Sequence, residues 1–127
     1  MAHFVLEYSA NLDSETLAIG NLFKKLHETV AAGGVFPLAG MRSRAYCAND
    51  YCIANGDANH AFVHLNFKIG TGRSEKEQAE AFEVVKGVLL DHLDTTYQSR
   101  AVAISVEMNE LPEKLRHNAN NVRDYIK

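Results

Sequence analysis

From His60 to Ile69 the chain alternates without a slip, with Ala61, Val63, Leu65, Phe67 and Ile69 on one side and His60, Phe62, His64, Asn66 and Lys68 on the other. A period of two held over that length predicts a strand with one apolar face, because successive side chains of an extended backbone point to opposite sides. Such a strand is not stable alone. It needs neighbours to pair its backbone and a second layer to cover its apolar face, and the rest of the chain has to supply both.

Two further segments alternate in the same way. Phe4, Leu6 and Tyr8 interleave with His3, Val5 and Glu7, and Val102, Ile104, Val106 and Met108 form the apolar face of Ala101 to Met108. Met41 to Cys52 is a mixed segment read as another strand. The turn residues Asn55-Gly56-Asp57 follow it and predict a hairpin with the His60–Ile69 strand.

Two stretches have helical spacing instead. Asp13 or Ser14 is placed to cap a helix whose stripe is Leu17, Leu22, Phe23, Leu26 and Val30, with Gly33-Gly34 as its stop. Ser74-Glu75-Lys76-Glu77 has the spacing of a capping box, which opens a long helix carrying Phe82, Val85, Leu89 and Leu93 on one face as far as about Tyr97. Gly87 weakens that helix locally. After Leu111-Pro112-Glu113 the tail turns, and 118–127 has room for a short helix around Val122, Tyr125 and Ile126.

The order is β-α-β-β-α-β, an α+β fold with a four-stranded mixed sheet. Right-handed crossovers place the two long helices on one face. The other face then carries Val5 and Phe62 among His3, Glu7, His64, Asn66, Lys68 and Glu107, a mixture suited either to solvent or to a polar subunit interface.

At 127 residues, one domain spanning 1–127 is expected, since the chain is too short for two cores. Composition is that of a folded globule, 46% hydrophobic and 23% charged. With 13 Lys+Arg against 16 Asp+Glu, the net charge of −3 offers no electrostatic footprint for nucleic acid or an anionic membrane. No window is apolar enough for a membrane span, and Met1-Ala2-His3-Phe4 lacks the features of a secretory signal, so the expected location is cytoplasmic. There Cys47 and Cys52 are expected as free thiols.

Several motifs invite chemistry and are outweighed. Cys47, Cys52, His60 and His64 suggest zinc, but the Cys-to-His gap is short for a finger, and two histidines four steps apart on one strand have backbones ~13 Å apart. Metal binding is therefore not expected. Gly70-Thr71-Gly72-Arg73-Ser74 between strand and helix lacks the third glycine of a dinucleotide fingerprint. No nucleophile elbow or triad spacing is present, and Glu7 and Glu107 read more simply as solvated or paired than as acid and base. Arg73 beside a helix start, with Arg42 and Arg44 as a second cationic patch, suits a carboxylate held at two points by a planar guanidinium. Each arginine alone reads first as a solvated or ion-paired surface charge, and only a shared site makes them chemical.

Phe36-Pro37-Leu38-Ala39-Gly40-Met41-Arg42-Ser43-Arg44, Ala61-Phe62-Val63-His64, Lys68-Ile69-Gly70-Thr71-Gly72-Arg73-Ser74 and Asn120-Asn121-Val122 together resemble the 5-carboxymethyl-2-hydroxymuconate isomerases of the tautomerase superfamily. The resemblance covers nearly the whole chain. It implies a β-α-β-β-α-β protomer and a homotrimer whose sheets wrap a central axis, with sites near the protomer boundaries. It also implies a cofactor-independent isomerase that moves a proton in an unsaturated carboxylic acid during homoprotocatechuate breakdown. In that family an N-terminal proline, exposed by methionine removal, carries the proton while arginines hold the substrate. Arg42 and Arg73 match those arginines, with Arg44 as a helper. The residue after Met1 is Ala2 rather than proline, so the expected base is the α-amine of Ala2 in a Met1-free chain. A non-catalytic small-carboxylate binding or interaction protein on the same scaffold is the alternative, because Ala2 replaces the proline.

Overall fold

In the computed structural model, which describes residues 1–126, the alternating segments become β1 (Ala2–Ser9), β2 (Met41–Ala48), β3 (Ala61–Ile69) and β4 (Val102–Glu110). They form one sheet ordered β2-β1-β3-β4. β1 runs parallel to β2 and antiparallel to β3, while β3 runs parallel to β4. The helices between them are α1 (Ser14–Leu17), α2 (Ile19–Ala32), α3 (Glu75–His92) and α4 (Asp94–Ser99).

The expected hairpin is not formed. β2 and β3 are consecutive in sequence, but β1 lies between them and pairs with both. The reason is that α2 carries the chain back over the sheet, so β2 enters parallel to β1 on its outer side and closes a βαβ unit. β3 then takes the inner side of β1, and its five apolar residues Ala61, Val63, Leu65, Phe67 and Ile69 are all buried.

The first helix is two helices rather than one. Asp13 caps α1, whose Leu17 is buried, and Ala18 at φ 48° breaks the path before α2 begins. A single straight helix would set Leu17 about 140° around the axis from Leu22, five residues on, and could not bury both. The left-handed break turns both into the core. Ser74 and Glu77 form the expected capping box, with Glu77 N–H donating to Ser74 Oγ at 3.1 Å and Ser74 N–H donating to Glu77 Oε1 at 3.0 Å. The helix that they open ends at His92, and Leu93, buried at 2% exposure, separates it from α4. In the tail the described residues hold one 3-10 turn, Val122–Asp124, within the segment expected as a short helix, and Lys127 lies outside them.

Aromatic packing ties the sheet to its approaches. Phe4 and Phe67 are cross-strand partners and stack at 4.6 Å, and Phe36 leans on Phe67 at 5.5 Å. Among the described residues no helix is long and apolar enough to cross a membrane.

Candidate active site

The strand directions collect distant parts of the chain at one end of the sheet. β1 and β2 start there and β3 and β4 finish there, since Ala2 is level with Met41 and Ile69, and Ile69 is level with Glu110. Met1, Arg42, the Gly70–Arg73 turn and the tail after β4 therefore converge.

Met1 is held by its backbone. Its carbonyl accepts from Gly70 N–H at 3.2 Å, and a Cβ at Gly40 would lie 3.4 Å from the Met1 nitrogen, so the small residue leaves room for the amine. Burial and then the charges of Arg73, Arg42 and Arg116 hold this amine below its ordinary pKa of 8.0. Ala2, the next residue, is 1% exposed.

Arg73 sits just ahead of the α3 cap. Its guanidinium lies over the Phe36 ring at 4.1 Å, and its Nη1 donates to Gly70 O at 3.3 Å. Its buried Nε has no partner among the described residues. Arg42 is placed by β2 pairing, which sets it level with His3, and its Nη2 donates to Asn118 Oδ1 at 2.7 Å. Arg44, two residues on and on the same side of the strand, donates to His3 Nδ1 at 3.1 Å.

His3 thus stands between two guanidinium groups. Arginine only donates and a neutral imidazole accepts at one nitrogen, so the 3.1 Å contact is the hydrogen bond and the 3.4 Å approach of Arg42 to Nε2 is proximity. Burial, then Arg42 and Arg44, lowers the His3 pKa and keeps the ring neutral at pH 7.

The structure brings Arg42 and Arg73 to the chain-start amine. Arg44 stands behind His3 and is not among the charges that act on the amine. Sequence reading did not single out Arg116, Asn118 or Asn120 as site residues. Asn120 Nδ2 donates to Ala39 O at 2.8 Å and its Oδ1 accepts from Val122 N–H at 2.8 Å, a tie between the tail and the turn before β2. Asn120 lies in a segment that carried the family resemblance, which was its available signal. Arg116 and Asn118 sit in an aperiodic tail with none.

None of the ion pairs among the described residues involves an arginine, so the three guanidinium groups at this end lack acidic partners. Their geometry suits a carboxylate-bearing ligand. Among the described residues no group of three or more His, Cys, Asp or Glu side chains is placed to hold a metal ion. His60 faces Asn55, while His64 bonds Ser105 and Glu107. A separate cleft of about 150 Å³ between α2 and α3 shares Phe36 with this site but none of its cations.

The open mixed sheet thus carries, at one end, a Met1 amine of lowered pKa near arginines that form no ion pair among the described residues. The model of the family described as 5-carboxymethyl-2-hydroxymuconate isomerase matches residues 2–126, and the chain belongs to that family. It is 39% identical to the 5-carboxymethyl-2-hydroxymuconate Delta-isomerase of Escherichia coli, with 100% of both chains covered. A crystal structure of a 5-carboxymethyl-2-hydroxymuconate isomerase from Deinococcus radiodurans R1 superposes with a TM-score of 0.89 at 35% identity, over 99% of this chain and 95% of that one. The fold extends to a fused 4-OT described as a symmetric trimer, with a TM-score of 0.63 at 20% identity over 93% and 92% of the two chains. The protein is an isomerase-like tautomerase, and the non-catalytic alternative is not favoured.

Proposed function

We propose that this protein moves a proton within an unsaturated carboxylic acid of the 5-carboxymethyl-2-hydroxymuconate type, with the α-amine of Ala2 in the Met1-free chain as proton carrier. The observation that carries this reading is the meeting of a chain-start amine with guanidinium groups that have no acidic partner. The amine accepts the proton of the 2-hydroxyl, the electrons shift along the conjugated chain, and the proton returns at carbon. The enol C=C–O–H becomes C–C=O with no net change in atoms. Arg42 and Arg73 bind carboxylate and stabilise the dienolate charge as it develops, and Arg44 supports them through His3.

Loss of Met1 has a second consequence. The Gly70 amide now bonded to the Met1 carbonyl is released, adding an N–H donor beside Arg73 for substrate oxygen. The Ala2 amine, farther into the sheet than that of Met1, comes under the same two causes of pKa depression, burial and neighbouring cations.

Arg42→Ala and Arg73→Ala are each expected to lower kcat/KM by roughly tenfold to a hundredfold, the size of one charge-assisted contact of about 1.5–3 kcal/mol. The check is the ultraviolet loss of the conjugated dienol. Unchanged kinetics in both variants would remove the arginines from the site.

The working form proposed is a homotrimer in the cytoplasm. Its outer sheet face supports the assembly, because half-buried Val5 and Phe62 lie among the polar pairs His64–Glu107 at 2.8 Å and Asn109–Asn66 at 2.9 Å. The fused 4-OT that shares this fold is a symmetric trimer, which points the same way. The exposed free thiols of Cys47 and Cys52 suit a reducing compartment. Sedimentation equilibrium at micromolar concentration should return a trimer, and a monomer would rule the assembly out.

A further inference from the structure

The tail after β4 is a strap tied across the site. Leu111 N–H donates to Ile69 O at 2.7 Å, Asn118 accepts from Arg42, and Asn120 reaches Ala39. Between these ties Leu115 takes φ 57°, a left-handed conformation unfavourable for a residue with a Cβ, yet its side chain is 103% exposed. Burial of the leucine therefore does not offset the strain. The next residue, Arg116, arrives at the Gly70 turn, where its Nη1 and Nη2 would lie 4.0 Å from a Cβ on Gly70, and Arg73 Nη1 3.8 Å from the same point.

The ties on Arg116 are few for a structural arginine. It is exposed, its Nη2 donates to Thr71 Oγ1 at 3.3 Å, and no acidic partner is present among the described residues. Most of its five N–H donors remain available on the side shared with Arg73.

We propose that Arg116 is a third carboxylate ligand, which sets a preference for a tricarboxylate over the corresponding dicarboxylate. The proposal rests on the isomerase reading above and deepens it. A 5-carboxymethyl-2-hydroxymuconate carries two carboxylates at the ends of its muconate chain and a third on its carboxymethyl arm. Arg42 and Arg73 suffice for a muconate, and Arg116, delivered by the strap, supplies the cation for the arm. That Arg116 also acts on the chain-start amine places it within electrostatic reach of the reacting centre.

Titration calorimetry with a stable matched pair, 2-(carboxymethyl)adipate and adipate, tests this on the whole protein. Wild type should bind the triacid roughly tenfold or more tightly than the diacid, from one added charge-assisted contact. Arg116→Ala should bring the ratio to within about twofold of unity with adipate affinity retained. The proposal is overturned if wild type shows no triacid preference, if the preference survives in Arg116→Ala, or if the variant loses both acids equally. Turnover is read separately. A Met1-free wild type that leaves 5-carboxymethyl-2-hydroxymuconate unchanged ends the isomerase reading, while the affinity ratio still decides the role of Arg116.

Discussion

Acetylating the chain-start amine of the Met1-free protein is expected to lower turnover by about 10²–10⁴-fold, the contribution of a positioned general base. The reagent is applied near neutral pH, where an α-amine is deprotonated to a far greater extent than lysines, with pKa values of about 10.4. Retaining Met1 should do similar damage. The amine then moves by up to ~3.8 Å, and the nitrogen of Ala2 becomes an amide without a basic lone pair. Intact mass defines which species is assayed. Restoring a secondary amine with Ala2→Pro should raise turnover.

The pH profile carries the sign of the same assignment. A base works when unprotonated, so kcat/KM should rise with pH through the amine's pKa and level off above it. Burial and the arginines hold the Met1 amine below 8.0, and the same causes acting on the Ala2 amine should put the limb below that value. Acetylation should abolish the limb together with the rate. Full turnover in the acetylated protein would assign the base to another group.

Phe67→Ala is expected to cost about 3–5 kcal/mol, a large share of the roughly 5–15 kcal/mol that holds a typical domain together. Phe67 is fully buried, stacked on Phe4 at an interplanar angle of 6° and touched by Phe36 at 52°. Removing its ring leaves a cavity between β1, β3 and the turn before β2. Urea unfolding should show a lower midpoint at unchanged slope. Arg73 rests on the other side of the same aromatic chain, through Phe36, so carboxylate binding should weaken with stability. A loss below about 1 kcal/mol would mean that the core does not close around this ring.

The elements were legible wherever a local pattern was strong. The β3 alternation put all five of its expected apolar residues in the core, and the Ser74–Glu77 spacing formed the capping box it describes. The hairpin reading failed because a turn signal such as Asn55-Gly56-Asp57 reports a change of direction and does not report which strand lies alongside. The break at Ala18 was signalled by the five-residue step from Leu17 to Leu22, which no single helical face accommodates.

The site divides along the same line. Arg42 and Arg73 stood out through local motifs and family resemblance, whereas His3 and Arg116 acquired meaning from neighbours 39 to 46 positions away, His3 beside Arg42 and Arg116 beside Gly70. Periodicity, caps and charge alone determined the kinds of elements, their order and the apolar faces they bury, because these depend on neighbours within a few residues. Strand order, the direction of each pairing and the gathering of Met1, Arg42, Arg73 and Arg116 at one sheet end were decided only in the tertiary structure. There the apolar faces of all four strands and both long helices must be covered at once, and the helical crossovers between parallel strands send the starts of β1 and β2 and the ends of β3 and β4 to one place.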